Sequence, residues 1–265
     1  MQTPSTVIAA NIGFILFWLA AVLIVFVVAR RSARVHTFRE EMVAQWKPAL
    51  AIALLFLFGM ALGGRSILNP YALAIFCQAM FGFALARRIA NFEPLPVTRA
   101  AMERKSRWGL QFVWMTAIAL AAVLPALLVG SIGMSVAQQI FHETNFTREA
   151  ASSFPGNALA AFGLLLAGAG IAEETTYRLV IVSFVWYITR HSWFGIFAGA
   201  LLFGAYHLSP LDGMYQIFWQ FPISQFLAST LIGIVWGYIY VKRGFETVVL
   251  AHTFSDWIPY LIFVR

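Results

Sequence analysis

Residues 172–190 read AEETTYRLVIVSFVWYITR. The run is apolar enough to cross a bilayer, yet Glu173, Glu174 and Arg178 stand near the middle of the longer apolar segment 158–189. A charged side chain inside a membrane costs a few kcal/mol or more, faces the bundle interior, and marks a functional site by default. Reading this stretch as a spanning helix rather than a soluble core helix therefore decides both the fold class and where to look for chemistry.

The rest of the chain agrees with the membrane reading. Of 265 residues, 61% are hydrophobic and 11% charged, against about a quarter charged in soluble domains. A membrane span needs about 20 mostly apolar residues. Eight candidates result, at 7–29, 48–63, 71–86, 108–130, 158–189, 193–208, 223–241 and 245–263; the second and third are short. The expected fold is an all-α polytopic membrane helical bundle of about eight transmembrane helices, forming one integrated domain. Residues 1–150 carry the first four spans and 151–265 a core with the polar residues. The leading residues MQTPST hold no basic charge and the first run is long, so it reads as a retained helix and not a signal peptide. The fifth span is expected to tilt, or to break near Gly168–Gly170.

The net charge of +7 does not point to nucleic acid, because the basic residues sit in short loops between apolar runs. Loop 30–47 holds five Lys and Arg, loop 87–107 six, and Arg190, Lys242 and Arg243 bring the total to 14 of 18. Basic loops stay cytoplasmic, which puts both termini outside and makes the chain a multi-pass protein of the cell membrane. Cys77, the single cysteine, lies in an apolar run and reads as core. Small residues four apart (Gly59 and Gly63, Gly195 and Gly199, Gly233 and Gly237) suit close helix contacts. Loop 131–157 is expected to hold an interfacial helix near Val136–His142, and it carries a weak glycosylation pattern at Asn145.

Ionisable groups inside the spans are few: Glu173, Glu174, Arg178, His207, His252 and Asp256, with Glu246 at the mouth of the last helix. Glu174 and Arg178, four apart, share a helix face and can pair. Glu173 is turned by about 100° and can point into a cavity. His252 and Asp256 are also four apart. One carboxylate and one imidazole can hold and deprotonate a water, and a second imidazole can bind the oxyanion formed when water attacks a carbonyl. Alternatively, Glu173, His207 and His252 could hold zinc, although no HExxH is present. His36, His142 and His191 read as solvated or interfacial. Trp219 and Phe221 are candidates for a substrate entrance.

These residues carry a resemblance. Glu173-Glu174-x-x-x-Arg178, Phe203-x-x-x-His207 and His252-x-x-x-Asp256 resemble the three ordered motifs of the CAAX prenyl endopeptidase (type II) group, the CPBP or Abi intramembrane proteases. The resemblance covers roughly residues 155 to 260. It implies that Glu173, aided by His207, activates water without a cofactor. It further implies that His252 and Asp256 stabilise the oxyanion, and that Glu174, Arg178 and Phe203 support them. Where eukaryotic-type enzymes carry Asn, this chain has Asp256. An ionised carboxylate only accepts hydrogen bonds, so Asp256 must be protonated or act through His252. The implied activity is an intramembrane endopeptidase cutting near the cytoplasmic face. Its partners would be a peptide or prenylated protein and the lipid bilayer. A transporter or proton-conducting protein using the same buried groups, or an inactive immunity or scaffold member of the fold, are the alternatives.

Overall fold

The computed structural model describes residues 4–143, 157–212 and 214–263. All its elements are helices: α1 (Pro4–Val28), α2 (Ala33–Ala44), α3 (Trp46–Leu62), α4 (Tyr71–Arg87), α5 (Pro96–Met102), α6 (Trp108–Ala121), α7 (Val123–Phe141), α8 (Ala158–Thr189), α9 (Ser192–Tyr206), α10 (Tyr215–Phe218), α11 (Pro222–Arg243) and α12 (Phe245–Phe263). This is an all-α bundle. Four helical runs are long and apolar enough to cross a membrane, and the bent pair α2–α3 brings the number to five. The apolar helices α4 and α9 are shorter than a full span. The chain is an integral membrane protein.

One local expectation needs correction and another is narrowed. The fifth span, expected to tilt or to break, does not break. It continues from Ala158 to Thr189, wound as a π-helix over Leu166–Glu173 and Thr175–Val182. Such stretches recur at functional sites. The fourth span runs on to Phe141 as α7, so no separate interfacial helix forms at Val136–His142. The apolar run simply outlasts the length a bilayer demands. Asn145 lies outside the described residues.

Close approaches hold the helices in place. A Cβ on Gly59 would meet the Gly163 carbonyl at 2.7 Å, and one on Gly163 would meet the Gly59 carbonyl at 2.6 Å. α3 therefore crosses the start of α8 backbone to backbone. Gly195 of α9 likewise approaches the Val182 carbonyl. Without a hydrophobic drive between helices in lipid, such contacts gain their stability from dispersion over matched surfaces. One apolar core draws on both halves of the chain, including Phe56, Phe83, Leu179, Trp236, Tyr240 and Phe245.

The bundle has two ends. At the basic end, the Phe245 amide donates to Pro94 O, and the amides of Val97 and Thr98 donate to the Glu246 carboxylate. Arg88 pairs with Glu41 of α2, and Phe92 packs against Trp186 and Tyr240. At the other end, Glu143 accepts from the amides of Ile223 and Ser224, the first donors of α11. There Trp257 Nε1 donates to Ala158 O at the start of α8. A carboxylate at a helix N-terminus satisfies amides that have no intrahelical partner. Each end thus has one such clasp made across the sequence.

Candidate active site

The three motifs meet in one place. Glu174 and Arg178 are wholly buried, and Arg178 Nη1 lies 3.0 Å from Glu174 Oε1. The same oxygen is 2.6 Å from His252 Nδ1. The carboxylate can only accept from His252, so Nδ1 carries a proton and Nε2 faces the other way. There it lies 3.8 Å from Glu173 Oε2 and 3.6 Å from Asp256 Oδ2. Glu174 therefore joins the first motif to the third, a link that spacing within either helix does not contain.

Phe203 ties in the second motif. Its ring lies 4.4 Å beneath the Arg178 guanidinium and meets the edges of His207 at 4.6 Å and His252 at 5.5 Å between centroids. A cation over an aromatic face is favourable, and more so when desolvated. Arg178 also reaches the Gly233 carbonyl of α11 at 3.4 Å. Buried Trp236, one turn on, lies against the His252 ring. Phe203 thus does more than pack before His207, since it separates and orients both imidazoles and the guanidinium.

His207 Nδ1 donates to Phe203 O at 2.8 Å, because a carbonyl can only accept. In the neutral ring Nε2 is then an acceptor. It points toward Asp212, whose Oδ2 is 3.9 Å away and whose Oδ1 accepts from the Met214 amide at 2.7 Å. Asp212 belongs to none of the motifs. It is the only acid between Glu174 and Glu246, a signal that could have marked it.

Glu173, His207, His252, Asp256 and Asp212 all line a cavity of about 390 Å3. The rest of its wall is largely apolar, with Leu127, Leu164, Leu165 and Ile232 among it, and Phe218. Gly168 faces this space with nothing within 4 Å of an added Cβ, while Gly170 packs on Thr253 and Val249. Glu173 also borders a chamber of about 20 Å3 with Tyr71, Thr176, Tyr177 and Tyr206, room for about one water. Trp219 is mostly exposed and donates to Leu208 O. Phe218 takes the lining position considered for Trp219 and Phe221.

The candidate zinc set does not fit. Among the described residues, no three His, Cys, Asp or Glu side chains converge as metal ligands. His207 Nε2 faces Asp212, which lies outside the set, and His252, bonded to Glu174 through Nδ1, turns Nε2 toward Glu173 and Asp256.

The cavity walls come from α7, the first half of α8 and α11, the last turn of α9, the connection after it, and the second half of α12. No lining residue belongs to the basic end.

A membrane helix bundle with a buried acid, imidazole and guanidinium cluster bordering an apolar cavity is the class that fold and site define. Within it, residues 155–258 match the family model "Type II CAAX prenyl endopeptidase Rce1-like", the family that the three motifs resemble and a family of membrane proteases. The matched segment holds Glu173, Glu174, Arg178, Phe203, His207, His252 and Asp256. No match was found among curated proteins or among solved structures.

Proposed function

We propose that the protein is an intramembrane endopeptidase of the cell membrane that hydrolyses a peptide bond with water activated by Glu173. The single observation that carries this reading is the facing of Glu173 and His252 Nε2, 3.8 Å apart, on the wall of a cavity large enough for a peptide segment. Glu173 takes a proton from water held with the help of His207 Nε2. The resulting hydroxide attacks the carbonyl carbon, and the oxyanion is met by a proton on His252 Nε2. As the C–N bond breaks, Glu173 returns its proton to the leaving nitrogen, giving a carboxylic acid and an amine.

Asp256 acts through His252. It lies 3.6 Å from Nε2 and accepts from Ser255 Oγ at 3.2 Å, which suits a carboxylate that holds an imidazole proton in place. Glu174 fixes the other nitrogen, and Arg178 offsets the buried charge of Glu174. Aligned donors in a water-poor site are the larger part of such catalysis. The substrate is a peptide, a prenylated C-terminus or a membrane-protein segment with apolar residues to fill the wall between Leu164 and Ile232.

The test is cleavage of a fluorogenic peptide library, half of it farnesylated, by purified protein in detergent. Wild type should cleave with and without a strong zinc chelator, and Glu173→Gln should not. Activity abolished by chelator and restored by zinc would replace the glutamate mechanism with a metal one.

A further inference from the structure

A peptide drawn into a membrane cavity carries its own difficulty. Each backbone N–H and C=O that leaves water needs a hydrogen-bond partner, and an unmet one is costly. Most of the cavity wall is apolar and supplies none. Two polar side chains that the proposed mechanism does not use, Gln225 and Ser229, stand in this wall on the first two turns of α11. We propose that they form a peptide-backbone clamp, a subsite that holds one amide unit of an extended substrate beside the reactive cluster. The substrate class rests on the peptidase reading; the clamp is tested by binding alone.

The pair is built from one helix. Gln225 and Ser229 are four apart and share a face of α11, and Gln225 Nε2 donates to Ser229 Oγ at 2.9 Å. Both residues are buried. Gln225 Oε1 is buried as well and has no hydrogen-bond partner among the described residues. A leucine of similar size would fill the same space without that cost. Ser229, having accepted from Gln225, has its O–H left to donate. Together the two side chains offer one acceptor and one donor, the complement of the N–H and C=O of a peptide group. Turning the Gln225 amide over exchanges the roles and leaves the same sum, an amide N–H and a hydroxyl lone pair. By contrast Ser255, also on the wall, spends its hydroxyl on the His252 carbonyl.

The position suits the chemistry. The next residue on this face, Gly233, gives its carbonyl to Arg178, and a Cβ there would meet the Ala200 backbone at 3.0 Å. α11 is thus pinned against α8 and α9 at Gly233. On α7, a Cβ at Gly133 would lie 2.8 Å from the Ala228 nitrogen, so α11 is also fixed beside the clamp. At about 1.5 Å per residue, Ser229 and Gln225 stand about 6 and 12 Å along the helix from Gly233. An extended chain advances about 3.3 Å per residue. An amide held by the pair therefore lies about two to four residues from one at the level of Gly233 and Arg178. Gly168 of α8 lines the same cavity with open space above it, which leaves room for a backbone to run.

Binding reads the clamp without requiring catalysis. Glu173→Gln protein in detergent is titrated with a short dansylated peptide of Ala and Leu. A parallel series replaces one backbone amide at a time by an ester, which cannot donate and accepts poorly. One ester position should weaken binding about tenfold, the scale of one lost hydrogen bond. Adding Gln225→Leu should weaken binding of the all-amide peptide by a similar factor and abolish the penalty at that ester position. Ser229→Ala, which removes a single atom, should act in the same direction and carries the test if Gln225→Leu does not fold. A purely structural pair would lower affinity for amide and ester forms alike, so an undiminished ester penalty in these variants overturns the proposal. Equal binding of parent and every ester overturns it too, as does absence of peptide binding. Cleavage of the parent peptide by wild type is measured alongside. Binding with an ester penalty but no cleavage keeps the clamp and sinks the peptidase reading, whereas cleavage with no ester penalty does the reverse.

Discussion

Two arginine–glutamate pairs of this protein are each spaced four residues apart. Arg99 Nε of α5 lies 2.7 Å from Glu103, just past the end of that helix, and Arg178 Nη1 lies 3.0 Å from Glu174 on α8. By distance alone the first is the closer contact. Their surroundings reverse the ranking. Arg99 and Glu103 are about half exposed and belong to a web with Glu93 and Lys105. Glu174 and Arg178 have no exposed surface, and their charges are answered by His252, the Phe203 ring and the Gly233 carbonyl. The same local spacing makes a solvated collar in one place and the frame of a reactive site in the other.

The largest effect expected from this contrast is on turnover. Glu173→Gln removes the base and should lower cleavage by about 10²–10⁴-fold, with no fall in the unfolding temperature. Charge loss in the collar should leave cleavage at the wild-type rate. A Glu173→Gln protein that still cleaves would move the base elsewhere.

Next in size is stability. Arg178→Ala leaves Glu174 buried without its cation and should cost about 3–5 kcal/mol, read as a fall in detergent unfolding temperature. Arg178→Lys should recover little, because an ammonium lacks the flat group that stacks on Phe203 and reaches Gly233. Replacing both partners by apolar side chains of similar volume should restore much of the stability. It should not restore cleavage, since His252 Nδ1 then has no acceptor. Recovery of both together would show that Glu174 serves packing alone.

These two predictions concern residues legible in the sequence. Apolar length marked the spans, and charge inside an apolar run marked Glu173, Glu174 and Arg178. Spacing of four paired Glu174 with Arg178 and His252 with Asp256. Other features escaped because they are not local. The Glu174–His252 bond joins residues 78 apart, and the clasps at Glu143 and Glu246 join residues 80 to 149 apart. No hydropathy pattern encodes those meetings. The π winding of α8 depends on backbone bonding, to which the apolar pattern is blind. Asp212 follows its helix in a turn, where a lone acid resembles any loop residue until His207 is seen beside it.

Asp212 gives the third prediction. If the Asp212 carboxylate acts on His207 by its charge across the 3.9 Å between them, Asp212→Asn should lower kcat about tenfold, about 1.4 kcal/mol. KM should change little, the pH profile should shift, and Asp212→Glu should recover part of the loss. An unchanged profile with raised KM would make it a substrate contact. At the basic end, Glu246→Ala removes the acceptor for two amides at the start of α5. The loss of a helix cap is about 1 kcal/mol, seen as faster hydrogen exchange in 96–102 with cleavage unaffected.

The smallest effect is expected where the electrostatics look strongest on paper. Lys105, and then Arg99, hold the Glu103 carboxyl at about 2, below its usual 4.5. A carboxyl lowered on folding lends stability above its usual pKa and loses it as the pH falls from there toward 2. At neutral pH that contribution is fully present, yet water and salt screen charges at an exposed site, and exposed ion pairs contribute little. Glu103→Gln should therefore unfold with wild type from pH 5 to 8, at low and at moderate salt alike. A clear, salt-sensitive loss would mean that the collar is a structural lock on the basic end, and the contrast with Glu174 would be one of degree and not of kind.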